Sequence, residues 1–164
     1  MTEQSPAALY QTVVIEHNRS PRNFRVVEPC SHAATGRNPV CGDTVILLLR
    51  VDDHGRIADV GFQGDSCAVT TASASLLTVN LLGQTVDDAL ELARSVEIMI
   101  SQGDRVADSA PGRDDLNVLA DVRHFPGRCN CARLPWMTLQ TMLGEQADPV
   151  AKQSAAALQV TVDR

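Results

Sequence analysis

Tryptophan and tyrosine occur once each in this 164-residue sequence, and phenylalanine three times. So few aromatic rings leave no platform on which the bases of a single strand could stack. Positive charge is also in deficit: 14 Lys and Arg stand against 20 Asp and Glu, a net charge of −6. Phosphate binding needs clustered cations, so the balance argues against nucleic acid as a partner. The longest apolar run, Val45 to Leu49, has strand length, far short of a membrane-spanning helix. The opening Met1-Thr2-Glu3-Gln4-Ser5-Pro6 has neither the basic start nor the apolar stretch of a secretory signal. The expectation is a cytoplasmic protein, in a compartment that keeps thiols reduced. Five cysteines, an odd number, suit metal or sulfur chemistry better than a disulfide framework.

The rest of the composition is ordinary for a globular chain, with 44% hydrophobic and 21% charged residues. We expect a single domain over 1–164, with its core in about 7–143 and a C-terminal extension over 144–164. Ala7 to Asn18 reads as a helix with Leu9, Val13 and Val14 or Ile15 on its apolar side, ended by Ser20-Pro21. An edge strand is expected near Ser31 to Gly36. Thr44–Val51 and Arg56–Gln63, joined through Asp52-Asp53-His54-Gly55, form an antiparallel hairpin. Val45 to Leu49 is apolar on both faces, which places that strand centrally.

The second half is helical. Ser66 or Asp65 is expected to cap a helix from Cys67 to Leu82 that stops at Gly83. Thr85-Val86-Asp87-Asp88 opens another, along which Val86, Ala89, Leu90, Ala93, Val96 and Ile100 recur at helical spacing. Gly103 to Gly112 reads as a loop or insertion, and Leu116–Val122 as a short helix. A last core helix covers Ala132 to Leu143, with Pro135 tolerated near its first turn. Asp148 to Val160 reads as a further amphipathic helix. Strands first and helices afterwards give an α+β fold, a small antiparallel sheet with helices on one face.

Three separated segments each offer a ligand for a soft metal at the ends of these elements. They are Cys41-Gly42-Asp43, Gly64-Asp65-Ser66-Cys67 and Arg128-Cys129-Asn130-Cys131. Thiolates favour zinc, copper(I) and iron–sulfur clusters, and a carboxylate can fill a fourth position. Cys67 and Cys131 fall at helix starts, where the dipole and free N–H groups stabilise a thiolate. A lone cysteine is more often simply buried; three at element starts, one beside an Asp, reverse those odds. His17 reads as a packing residue, and His32 and His54 as solvated ones. His124 is a spare ligand candidate, and Cys30 a bystander.

These motifs resemble the iron–sulfur cluster assembly scaffold family, the IscU/NifU N-terminal fold, and most closely its SufU branch. The resemblance rests on Asn38-Pro39-Val40-Cys41-Gly42-Asp43, Phe62-Gln63-Gly64-Asp65-Ser66-Cys67-Ala68-Val69 and Ala72-Ser73-Ala74-Ser75. It extends to Pro21-Arg22-Asn23, Phe125-Pro126-Gly127-Arg128 and Cys131-Ala132-Arg133-Leu134-Pro135-Trp136. By family pattern the metal ligands are Cys41, Asp43, Cys67 and Cys131. IscU-type members place a His directly before the last ligand cysteine, where this chain has Asn130. SufU-type members lack that His and carry an insertion before the cysteine, which Gly103–Val122 resembles. Cys129 departs from both patterns and could compete with Cys131.

The resemblance implies a sulfurtransferase-like acceptor that activates a SufS-like cysteine desulfurase, rather than a free-standing enzyme. It would hold Zn2+, take persulfide sulfur on Cys41 (Cys131 being second choice), meet its partner through Arg128, and feed downstream assembly or acceptor proteins. The alternative it implies is a scaffold on which iron and a transient [2Fe–2S] cluster are assembled and passed on. A purely structural zinc is the third reading, disfavoured by an Asp ligand.

Overall fold

The computed structural model describes residues 6–106, 112–144 and 158–163. Helix α1 (Pro6–Arg19) precedes three strands, β1 (His32–Asn38), β2 (Asp43–Val51) and β3 (Ile57–Asp65). Helices α2 (Ala68–Leu81), α3 (Val86–Gln102), α4 (Arg113–Leu116) and α5 (Cys129–Met142) follow, with 3-10 turns at Asn117–His124 and Pro126–Arg128. A last strand, β4 (Gln159–Asp163), completes an antiparallel sheet of order β3-β2-β1-β4. The fold is α+β, as the order of patterns implies.

Strand β2 runs between β1 and β3, with Asn38 opposite Asp43 on one side and Thr44 opposite Asp65 on the other. Its alternation sends Asp43, Val45, Leu47 and Leu49 inward, while Ile46 and Leu48 are only half-buried. The carboxylate of Asp43 is therefore on the core face of the sheet, at the strand's first residue. The turn to β3 is closed by the Asp52 carboxylate, which accepts the N–H groups of His54 at 2.9 Å and Arg56 at 3.0 Å.

Helix α5 lies over β1 and β2 with α2 and α3 beside it. Two glycines permit the close approaches on which this arrangement depends. At Gly36 of β1 a Cβ would stand 2.1 Å from the Thr138 hydroxyl of α5. At Gly64, where φ is +134°, a Cβ would stand 2.0 Å from the Thr44 carbonyl oxygen. Polar bonds join the helices: Ser73 of α2 donates to the Ala132 carbonyl at 2.7 Å and accepts from the Trp136 indole at 3.1 Å. Ser75 accepts the Arg22 N–H at 2.8 Å and bonds His17 Nδ1 at 2.7 Å. Burial holds the His17 imidazole below its ordinary pKa, which leaves it neutral and packed, as its helical position suggested.

Several expectations are corrected. β1 is interior, because β4 pairs along its other side. Gln159 and Val160 belong to that strand rather than to a helix, and residues 145–157 of the expected helix lie outside the described residues. On α1 the inward residues are Tyr10, Val13, Val14 and His17, whereas Leu9 and Ile15 are exposed. The cap of α2 is Cys67 itself, not Ser66 or Asp65. Helix α5 begins at Cys129, so Pro135 sits in its second turn; lacking an N–H, it leaves the Cys131 carbonyl without its usual helical donor. Leu116 closes α4, and the residues after it form a 3-10 turn. No helix among the described residues is long and apolar enough to cross a membrane.

Gly64→Ala is expected to destabilise the metal-free protein by about 3 kcal/mol, from the left-handed φ and the backbone contact together. Gly42→Ala has φ +75° but open space around it, and should cost only about 1 kcal/mol. Urea unfolding of the two variants checks the order; equal losses would mean that strand approach at Gly64 is not limiting.

Candidate metal centre

The four sequence-selected residues arrive at one end of the sheet by different routes. Cys41 lies in the Pro39–Gly42 connection between β1 and β2, where its N–H and that of Gly42 both bond the Asn38 carbonyl, at 3.2 and 2.8 Å. It is exposed. Asp43 follows at the start of β2 and is 3% exposed. Cys67 is the N-cap of α2, its sulfur accepting the Thr70 N–H at 3.5 Å. Cys131, in the first turn of α5, is fully buried.

The ligand atoms of Cys41, Asp43 and Cys131 all lie within 4.8 Å of one another. The Cys41 and Cys131 sulfurs are 3.8 Å apart. Two sulfurs on a tetrahedral zinc, each about 2.3 Å from the ion, are separated by roughly that same distance. That spacing suits both sulfurs on one tetrahedral ion. Cys67 is not within 4.8 Å of all three, but its backbone N–H donates to Asp43 Oδ1 at 2.8 Å. The structure thus gathers three of the four expected ligands closely and sets the fourth beside them.

Asp43 is fastened at both oxygens. Its Oδ1 accepts the Cys67 backbone N–H at 2.8 Å and its Oδ2 the Thr70 hydroxyl at 2.9 Å. Thr70, fully buried, also stands 3.3 Å from the Cys67 sulfur. Nothing in the sequence alone marks Thr70, because its partner Asp43 is 27 residues away.

The thiols are electrostatically unequal. The neighbouring Cys131 thiol, helped by the Thr70 N–H, lowers Cys67 to about 5 against burial. Cys131 is pushed up correspondingly, chiefly by donating to Cys67 and then by burial. The negative charge of the pair therefore falls on Cys67, at the α2 N-terminus. Arg128 is exposed, and the neighbouring thiols, Cys131 first, raise its pKa. One wall is aromatic: the Tyr10 and Phe125 rings stack at 5.6 Å, and burial lifts the Tyr10 phenol to about 12.

The competing residues do not enter the group. Cys129 points its thiol at the Val122 and Phe125 carbonyls, 3.6 and 3.9 Å away, and burial raises its pKa. Cys30, His32, His54 and His124 are not among the clustered ligands. Asn130 accepts from Arg133 at 3.3 Å.

The profile of the NifU-like N-terminal domain matches residues 9–132. The chain is 33% identical over 132 residues to the zinc-dependent sulfurtransferase SufU of Bacillus subtilis, covering 80% of this chain and 87% of that protein. It is 31% identical over 140 residues to the iron–sulfur cluster assembly scaffold protein IscU of Streptococcus pyogenes, covering 85% and 86%. A crystal structure of an iron–sulfur cluster assembly scaffold protein for the SUF system, from Fervidobacterium islandicum, superposes with a TM-score of 0.73 at 30% identity, covering 82% and 96%. The chain belongs to the NifU-like N-terminal domain family, which includes IscU and SufU.

In metal-free protein, alkylation of Cys67 should follow a titration near pH 5, because the depressed pKa keeps it a thiolate above that point. Cys129 and Cys131, both shifted upward, should react only at alkaline pH. Peptide mass spectrometry after iodoacetamide pulses across pH resolves the sites; a Cys67 that reacts only above neutrality would contradict the proton assignment.

Proposed function

We propose that the chain serves iron–sulfur cluster assembly as a zinc-bound sulfur acceptor, with Cys41, Asp43, Cys67 and Cys131 as the ligands. The observation that carries this reading is the inequality among them. Asp43 and Cys131 are buried and Asp43 is fastened twice, whereas Cys41 is exposed on a hairpin connection. One donor can leave the set without unfolding an element, and it is the one a partner can reach.

Zinc on this set supplies thiolates that stay deprotonated at neutral pH. The working partner is a cysteine desulfurase carrying a persulfide, of SufS-like type, met in the cytoplasm. The freed Cys41 thiolate attacks the terminal sulfur of that persulfide. A new S–S bond forms on Cys41, the old one breaks, and the partner leaves as its thiolate; no net oxidation occurs. Arg128, exposed at the start of α5, is the residue we assign to hold the anionic persulfide as it arrives. Cys131, which α5 keeps buried, is the second choice of acceptor.

A second reading, a scaffold that builds and passes on a [2Fe–2S] cluster, is favoured by the likeness to the streptococcal IscU. It uses the same donors. Asn130 weighs against it, since a side-chain amide bonded to Arg133 replaces the imidazole that resemblance to IscU would call for.

Incubation with desulfurase and free cysteine should place one added sulfur on Cys41, read by mass spectrometry. Cys41→Ala should abolish acceptance, and Cys129→Ser should leave it intact. Sulfur on Cys131 or Cys129 with Cys41 unmodified would overturn the assignment of roles.

A further inference from the structure

We propose that Thr70 is a positioning residue of the metal centre, fixing the oxygen ligand and one thiolate through a single side chain and its own backbone. The inference rests on the ligand set of the preceding section and adds a residue to it. Thr70 lies in the first turn of α2 and has no solvent exposure. Its hydroxyl donates to Asp43 Oδ2 at 2.9 Å, and its backbone N–H donates to the Cys67 sulfur at 3.5 Å. The same hydroxyl oxygen stands 3.3 Å from that sulfur.

A threonine hydroxyl has one proton to give. Directed at Asp43, it completes a pair of bonds with the Cys67 N–H on the other carboxylate oxygen. Two donors on two oxygens fix the plane of the carboxylate as well as its position. The helix start then carries Cys67 and Asp43 as one unit, although Asp43 belongs to the sheet. Among the described residues the Cys41 sulfur has no such tie; it stands 3.8 Å from the Cys131 sulfur. Thr70 thereby sets which ligands stay when one leaves. Without its hydroxyl, Asp43 Oδ2 would be a buried acceptor that has lost its donor.

The test is zinc affinity by chelator competition on the full chain, with cobalt(II) spectra as a second readout. Thr70→Val should weaken zinc binding by about 10–100-fold, the usual effect of removing an outer partner of a metal ligand. Thr70→Ser should restore it. Thr71→Val is the control, since that neighbouring hydroxyl bonds Ser66 rather than a ligand; its affinity should match the wild type. In the cobalt form, Thr70→Val should shift the ligand-field bands, as the oxygen ligand loosens, while thiolate-to-cobalt charge-transfer intensity is retained. If Thr70→Val does not fold by circular dichroism, Thr70→Ala carries the same measurement. Wild-type affinity in the hydroxyl-free variant, or equal losses at Thr70 and Thr71, would overturn the proposal. A wild-type protein that binds no zinc would instead overturn the ligand set.

Discussion

The carboxylate of Asp43 is where the sheet and the helices are held together at the end that matters for chemistry. It begins the central strand β2 on the inward face, yet its two oxygens are bonded to Cys67 and Thr70 at the start of α2. A buried carboxylate is costly unless each oxygen is satisfied. That requirement draws the α2 N-terminus to the mouth of the β1–β2 hairpin. Cys41 and Cys67 are then neighbours of Asp43 for two different reasons, one covalent and one polar. Gly64 lets β3 pass close enough to Thr44 for the chain to reach Cys67 at all.

Helix α5 brings the remaining thiol from the far end of the chain. Its approach to β1 depends on Gly36 beneath Thr138, and its register against α2 on the Ser73 bonds to Ala132 and Trp136. Cys131 immediately precedes Ala132, so the same contact that packs the helices places the sulfur. The result is a graded site. Of the four proposed ligands, one is buried in helix packing, one is fixed by hydrogen bonds, one caps a helix, and one is on an exposed connection. The proposed sulfur acceptance would use such a gradient, because a uniformly buried set could not release a nucleophile and a uniformly exposed one would not hold a metal.

Much of this was legible in the residues. The hairpin followed from the Val45–Leu49 run and the Asp52–Gly55 turn, and α3 from its helical period and Thr85 cap, observed with Thr85 accepting the Asp88 N–H. The ligand candidates were marked by residue type at element ends. What was not legible depended on contacts across the chain. Nothing in the stretch after Cys67 singles out the hydroxyl of Thr70, which matters only because Asp43 stands opposite. The last strand was obscured by the alanines before it, although Val160-Thr161-Val162 alternates in the way a strand does. The free side of β1 decided the matter. Pro135 suggested a later helix start, yet α5 begins at Cys129 and absorbs the proline in its second turn.

The proposed centre is one metal ion held by three sulfurs and one oxygen. X-ray absorption at the zinc edge, on protein purified without oxygen, reads that directly. The expected result is about one zinc per chain in a tetrahedral shell of three sulfur scatterers near 2.3 Å and one oxygen near 2.0 Å. A shell of nitrogens alone, or iron with visible charge-transfer bands in place of zinc, would contradict it.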